Sequence, residues 1–134
     1  PVEIPKIIDL LNKYDFVIGS RYSEGGKNIQ PFFRYLISYF GNKLIRTLLR
    51  IKMKEFTTSY RGFNLNKLKN FDLKIVKGKG YSFFMETVVR INRLGFSCAE
   101  FPIKFKDRKY GKSKIPKIEI FRTLKNLIYL CFVK

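Results

Sequence analysis

The sequence has 134 residues, with 28 lysines and arginines, 10 acidic residues and no histidine. Its length fits one domain, and its apolar share of 46% is enough to build a core. With no histidine and two cysteines, it does not fit zinc enzymes, histidine-dependent triad hydrolases or disulfide-stabilised folds. The net charge of +18 instead indicates an anionic partner, such as nucleic acid, anionic lipid or a phosphorylated substrate.

The first half of the chain predicts a helix, a strand, a loop and a second helix. Apolar residues recur at helical spacing over residues 2–13, with Pro5 in the first turn. Residues 15–20 form a short apolar run that ends in Gly-Ser, which is typical of a buried strand. The composition of residues 21–31 indicates a loop, and we expect a long, aromatic-rich helix over residues 32–51.

The second half predicts shorter elements. We expect an extended segment, a short helix capped by Asn64, a helix ended by Gly95, a strand bent by Pro102, a basic loop and an amphipathic helix. In chain order these elements cover residues 55–63, 64–71, 81–94, 96–105, 107–114 and 115–134. An α/β unit with two convincing strands has an incomplete sheet, which suggests that the sequence begins inside a longer protein.

No signal peptide or transmembrane helix is predicted. The longest uncharged apolar run near the end, residues 127–133, is far shorter than the ~20 residues that span a bilayer. The predicted last helix, residues 115–134, places an aromatic and aliphatic face beside several cations. This pattern suits a helix in a membrane interface, where each nearby cation attracts anionic lipid by ~1 kcal/mol, and it equally suits a core helix of a larger protein.

Two arginines and a serine form a candidate phosphate site. Arg21 follows the predicted strand, at the sheet edge where open α/β folds bind ligands. Arg34 and Ser38 are four residues apart near the start of the long helix, so they share one face. Arginine gives bidentate contacts to phosphate, and a helix dipole adds ~0.3–1 kcal/mol. Alternatively, Arg21 only caps the strand and Arg34 only extends to water.

Two further segments carry candidate polar groups. Residues 55–63 combine hydroxyls with aromatic rings, so the hydroxyls either line a sugar or phosphate pocket or face water from an edge strand. Glu86 has apolar neighbours on the predicted helix 81–94. It is either a buried partner of Arg61 or Arg90 or a catalytic carboxylate.

The densest basic stretch runs from Arg108 to Lys114 and includes Lys112. Its Gly111 permits close approach of a ligand to the backbone, and its cations can clamp a diphosphate leaving group. It is not a Walker A motif, because the strand–loop–helix context is missing. The alternative is a solvated basic loop.

Six pieces of the sequence carry a family resemblance when they are taken in order. They are residues 15–22, the pair Gly25-Gly26, Arg34 with Ser38, and residues 57–61, 80–86 and 108–114. In this order and spacing the sequence resembles family 2 glycosyltransferases, in particular dolichyl-phosphate mannose synthases and bacterial polyprenyl-phosphate glycosyltransferases. The resemblance implies an α/β fold: the C-terminal portion of a GT-A (Rossmann-like) domain at residues 1–114, followed by an amphipathic membrane-surface helix at residues 115–134.

The resemblance also implies roles for individual residues. The set expected to bind the phosphate of the lipid acceptor is Arg21, Arg34 and Ser38. The set expected to close over the donor diphosphate is Arg108, Lys112 and Lys114. Glu86 matches a family glutamate and is a candidate catalytic residue, with a structural role left open. The match is looser at Glu55 and Ser59, where the family has aspartate and glycine.

In this family an Asp-x-Asp motif holds Mg²⁺ or Mn²⁺, and this sequence contains no such motif. The resemblance therefore places the metal ligands in an N-terminal half that precedes residue 1. The implied activity is inverting transfer of a sugar from a nucleotide sugar to a polyprenyl phosphate. The implied setting is the cytoplasmic face of a membrane, to which the protein binds peripherally, with no nucleic-acid partner. We expect the isolated chain to have little or no transferase activity.

Two other functions stay open at this stage. A nucleic-acid-binding module would suit the charge and the 16% aromatic content, although no recognised motif is present and the aromatic residues have helical core spacing. A peripheral membrane-binding module without activity would suit the last helix.

Overall fold

The computed structural model describes residues 2–106 and 117–133, which form four α-helices, five short strands and one 3₁₀ turn. The helices are α1 (Ile4–Lys13), α2 (Phe32–Leu49), α3 (Tyr81–Arg93) and α4 (Lys117–Phe132). The strands are β1 (Phe16–Ser20), β2 (Lys27–Ile29), β3 (Arg61–Phe63), β4 (Cys98–Pro102) and β5 (Lys104–Lys106). The 3₁₀ turn covers Leu73–Ile75. All four predicted long helices are confirmed.

Strand β1 is the centre of the main sheet, whose order is β3-β1-β4. It pairs antiparallel with β3 and parallel with β4, so that Phe16 lies between Phe63 and Cys98. All five of its residues are buried. A strand covered on both faces reads as a continuous apolar run, which is the pattern that predicted it.

Successive side chains of β1 enter two different cores, as expected for a strand. Phe16 and Ile18 join the larger core with residues of α2, α3 and α4, including Ile45 and Met85. Val17 packs on the opposite side with Phe101, Ile103 and apolar residues of α1. The sheet therefore separates α1 from the other three helices.

Helix α4 belongs to the larger core. Leu127 and Leu130 are buried in it, and the helix packs against α3 and α2. Its other face exposes several large apolar side chains, including Phe121 and Phe132. The predicted boundary between residues 114 and 115 lies outside the described residues, so the division into a domain and a surface helix stays a prediction. None of the helices in the described parts of the chain is long and apolar enough to cross a membrane.

Strand β2 lies inside the segment predicted to be a loop, and this is a correction. It pairs in parallel with β5, in a second, two-stranded sheet. The predicted strand 96–105 is two strands, because the chain changes partners at Ile103. There the backbone N–H bonds the carbonyl of Ser20 and the carbonyl accepts from Lys27. Pro102 marks the bend, as predicted, since proline cannot continue a ladder on its N–H side.

Two other predicted elements are wrong in extent or type. The segment 55–63 is predicted to be extended throughout, but only its last three residues, β3, form a regular strand. Residues 64–71 form turns rather than a helix. The Asn64 side chain accepts from the Lys67 amide, as a cap would, but its own amide donates to Leu11 and ties the segment to α1. Leu68 alone is buried there, and one apolar residue does not stabilise a helical face.

Candidate functional site

A cavity of about 580 Å³ opens between α2, α4 and the segment that precedes β3. Its polar lining includes the predicted phosphate-binding residues Arg21, Arg34 and Ser38. Its apolar lining comes from both helices: Ile37, Leu44 and Ile45 of α2, and Ile120, Leu124 and Leu127 of α4. One carboxylate, Glu119 of α4, also lines the cavity and is paired with Arg122 at 2.7 Å. This α2–α4 cavity therefore combines cationic and hydroxyl groups with apolar walls.

Arg21 leaves the carboxyl end of β1 and is held rigidly. Its Nε and Nη2 donate to the two carboxylate oxygens of Glu55 at 2.8 and 2.9 Å, and Nη2 also bonds Thr57. Its guanidinium lies 5.3 and 5.4 Å from the ring centres of Tyr22 and Phe105. Burial alone would lower the pKa of Arg21, but the hydrogen bonds and charge of Glu55 raise it above its usual value. The group stays charged and fixed in orientation.

Arg34 and Ser38 lie one turn apart on α2 and both line the cavity, which confirms that they share a face. The hydroxyl of Tyr22 donates to Ser38 Oγ at 2.7 Å. Because that oxygen already accepts one bond, the proton of Ser38 can be donated to a ligand. Burial raises the pKa of Tyr22, which keeps its phenol protonated and able to donate.

The segment before β3 brings three hydroxyls to the cavity, on Thr57, Thr58 and Ser59. Arg61 fixes this segment by donating to the carbonyls of Thr58 at 2.6 and 2.9 Å and of Phe84 at 2.9 Å. Burial lowers the pKa of Arg61 to about 10. Of the two interpretations of the segment, lining a pocket is therefore the one that the structure supports.

Glu55 is a polar residue of this region to which the sequence analysis assigned no role. It is fully buried and accepts from Arg21, from the Thr57 amide and from the Thr57 hydroxyl. A nearby signal was present in the sequence: an acidic residue next to hydroxyls in a chain that has few acids. Its partner Arg21 is 34 positions away, so spacing could not reveal the pair.

Glu86 is fully buried on α3 and is not among the cavity-lining residues. Its carboxylate accepts from the Gly78 amide at 2.8 Å, from Asn126 Nδ2 at 3.0 Å and from Arg90 at 3.3 Å. The pairing with Arg90 is the expected neighbour one turn away on the same helix. These contacts join α3, α4 and the preceding segment, so the structure gives Glu86 an architectural role. Its catalytic role stays a prediction.

The predicted diphosphate-binding residues Arg108, Lys112 and Lys114 lie outside the described residues, and their role stays a prediction. The described residues do not fit a metal site, because no three potential ligands among His, Cys, Asp and Glu come together there. Glu55 and Glu86 are saturated by the contacts given above. Glu100 accepts from the backbone amides of Lys54 and Glu55.

No protein-family model matches the chain. Two curated relatives are similar to it over 86% of its length. One is an undecaprenyl-phosphate mannosyltransferase of Micrococcus luteus, 34% identical over 116 residues. The other is a polyprenol monophosphomannose synthase of Mycolicibacterium smegmatis, 35% identical over 117 residues. The aligned region is 48% and 44% of these proteins, so the chain spans about half the length of the relatives it matches.

Proposed function

We propose that this chain, which belongs to the family 2 glycosyltransferases, binds the lipid acceptor of an enzyme that glycosylates polyprenyl phosphate. The fold agrees with the C-terminal portion of a GT-A domain, the part expected from the sequence. Both curated relatives are named as mannosyltransferases or mannose synthases acting with a polyprenol or its phosphate. Mannose is therefore the first sugar to test.

The observation that carries this proposal is the α2–α4 cavity. It offers two arginines and several hydroxyls, which suit a phosphate monoester, and its apolar walls suit a hydrocarbon chain. A soluble phosphorylated metabolite would leave the apolar walls without contacts. A neutral lipid would leave the arginines without an anion. A polyprenyl phosphate satisfies both kinds of lining.

In the proposed reaction, an oxygen of the lipid phosphate attacks the anomeric carbon of a nucleotide-bound sugar. The bond from that carbon to the donor diphosphate breaks, and a nucleoside diphosphate leaves with the electron pair. A phosphate monoester is already anionic at neutral pH, so the nucleophile needs no general base. A chain without histidine can therefore serve this chemistry.

This chain's residues would act mainly by positioning the nucleophile. Arg21, fixed by Glu55, and Arg34, one helical turn from Ser38, would hold the phosphate oxygens so that one of them faces the donor. Arg108, Lys112 and Lys114 would neutralise charge that develops on the leaving diphosphate. A divalent ion, expected from the resemblance, would add to that second effect when bound elsewhere in the enzyme.

We also propose that the protein lies on the cytoplasmic membrane surface. Both α2 and α4 expose large apolar side chains along the faces turned away from the core. Among them are five phenylalanines with 57–86% of their surface accessible: Phe32, Phe33, Phe40, Phe121 and Phe132. An acceptor held between these helices would then reach the cavity directly from the bilayer.

Binding of geranyl phosphate, a short water-soluble prenyl phosphate, tests the acceptor site by calorimetry. We expect Arg34→Ala to weaken binding by about 10- to 150-fold, since a charge-assisted hydrogen bond contributes roughly 1.5–3 kcal/mol. Lys52→Ala is the control, because it removes one exposed positive charge outside the cavity. Equal affinities for both variants would refute the assignment.

Because the isolated chain is expected to have little or no transferase activity, the reaction itself is tested in a protein that also carries the donor-binding half. Transfer from radiolabelled GDP-mannose, UDP-glucose and UDP-N-acetylglucosamine is compared there, with GDP-mannose expected to be the best donor. Single-stranded RNA added as a competitor tests the prediction of no nucleic-acid partner. We expect it to leave geranyl phosphate binding unchanged at physiological salt.

A further inference from the structure

A second concavity, of about 260 Å³, lies on the other flank of α2. It is lined by Lys43, Arg46 and Lys54 together with Tyr22, Tyr39 and Asn42. We call it the basic pocket. The amide of Asn42 lies between it and the α2–α4 cavity, because this residue lines both.

The three cations of the basic pocket are unneutralised within the described residues. The side chains of Lys43, Arg46 and Lys54 make no hydrogen bond or ion pair there, whereas Arg21 and Arg90 are each paired with a buried glutamate. The nearby carboxylate of Glu100 accepts backbone amides. Three like charges around one concavity repel each other, and a bound anion would remove that repulsion.

The two tyrosines give the pocket a rigid, amphipathic wall. The Tyr39 ring stacks on Tyr35 at 5.9 Å and meets Tyr22 edge-on at the same distance. The Tyr22 hydroxyl is already donated to Ser38. Tyrosine rings flanked by cations are typical of surfaces at the level of lipid headgroups.

An exposed apolar side chain of α2 adjoins the pocket. Phe40 is 57% exposed, and its ring meets the ring of Tyr39 edge-on at 5.7 Å. An amphiphile whose phosphate occupies the basic pocket can therefore place acyl carbons against Phe40. A free phosphorylated metabolite gains nothing from this ring.

We propose that the basic pocket binds the phosphodiester headgroup of an anionic phospholipid. This site adjoins the α2–α4 cavity at Asn42 but shares no charged residue with it, and it does not depend on the proposed reaction. Asn42 accepts from the Phe56 amide and donates to the Ser38 carbonyl, both at 2.9 Å. Lipid bound against Asn42 therefore fixes α2 at the turn that carries Ser38.

Titration with dihexanoyl phosphatidylglycerol, kept monomeric, tests the site on the full chain by calorimetry. We expect saturable binding with one site. The variant Lys43→Gln/Arg46→Gln/Lys54→Gln should weaken it by about 100-fold, taking roughly fivefold for each cation near a lipid headgroup. The control Lys6→Gln/Lys13→Gln/Lys69→Gln removes three exposed charges elsewhere and should change it less than threefold.

Two further arms identify the ligand and the place of binding. Glycerol phosphate and inorganic phosphate should compete weakly, and dihexanoyl phosphatidylcholine should bind far more weakly than phosphatidylglycerol. Arg34→Ala should leave phosphatidylglycerol binding intact, and the triple pocket variant should retain geranyl phosphate binding, which also shows that it is folded.

Three results would overturn the proposal. Equal losses for pocket and control variants would mean that only net charge matters. Loss of phosphatidylglycerol binding in Arg34→Ala would place the lipid in the α2–α4 cavity. Equal competition by free phosphate, or tighter binding of single-stranded RNA at the same residues, would assign the pocket to a different anion. Failure of geranyl phosphate to bind would refute the acceptor site and leave this proposal standing.

Discussion

Among single Asp→Asn and Glu→Gln substitutions in this chain, Glu55→Gln should destabilise the protein most. Glu55 is fully buried, and its partner Arg21 exposes 9% of its side chain. Glutamine keeps the shape but removes the charge, and one of its two ends becomes an amide that faces donors on Arg21 or Thr57. Leaving a buried arginine without its partner costs about 3–5 kcal/mol.

A loss of that size is a large part of the 5–15 kcal/mol that stabilises a typical domain, so urea unfolding measures it readily. We expect a lower urea midpoint with an unchanged dependence on urea concentration. Geranyl phosphate affinity should fall as well, since Arg21 loses its fixed orientation. Glu24→Gln, at an exposed position without such a partner, is the control and should stay within about 0.5 kcal/mol.

A double-mutant cycle isolates the interaction energy between Arg21 and Glu55 from the contributions of their other contacts. Arg21→Met combined with Glu55→Gln should cost less than the sum of the single changes, with a coupling of roughly 0.5–3 kcal/mol. Additive losses, or a Glu55→Gln variant as stable as the control, would show that the pair does not hold Arg21.

Three other expectations follow from buried or half-buried groups. Glu86→Gln should lower the free energy of unfolding by about 1.5–3 kcal/mol while geranyl phosphate binding is retained. Unchanged stability, together with lost transfer in a protein that also carries the donor-binding half, would instead support a catalytic role. Arg61→Lys should weaken geranyl phosphate binding, because a lysine ammonium cannot make all the hydrogen bonds that the planar guanidinium donates to the carbonyls of Thr58 and Phe84. Full affinity would contradict this expectation. Iodoacetamide at pH 8 should label exposed Cys131 well before Cys98, since burial raises the pKa of Cys98 to about 11. At pH 8 this leaves roughly 0.1% of Cys98 as thiolate, and its rate should rise about tenfold per pH unit up to that pKa; equal rates by mass spectrometry would refute the burial.

The local pattern of the sequence was sufficient for the long elements and for part of the site. The apolar run of β1 and the helical spacing of α2 do not depend on distant partners, so both could be predicted. Arg34 and Ser38 were brought together by helix geometry alone. Their meeting with Arg21 needed only the rule that ligands bind at the carboxyl edge of a parallel strand.

Contacts between distant segments could not be predicted in the same way. β2 and β5 are three-residue strands rich in lysine, and neither is recognisable without the other. Glu55 becomes important only when the fold brings it to Arg21. Asn64 carries the side chain of a helix cap, yet its bond to Leu11 favours a turn, because tertiary contacts outweigh a weak local preference.

The position of β1 in the sheet has a consequence for the synthesis of the chain. Its parallel partner begins 82 residues later, at Cys98 opposite Phe16. At roughly 5–20 residues per second, a ribosome needs about 4–16 s to make the intervening segment. During that interval a strand that is fully buried in the native protein has at least one unpaired edge in the nascent chain. Residues 16–20 therefore need protection from intermolecular strand pairing until β4 emerges, and chaperones can provide it.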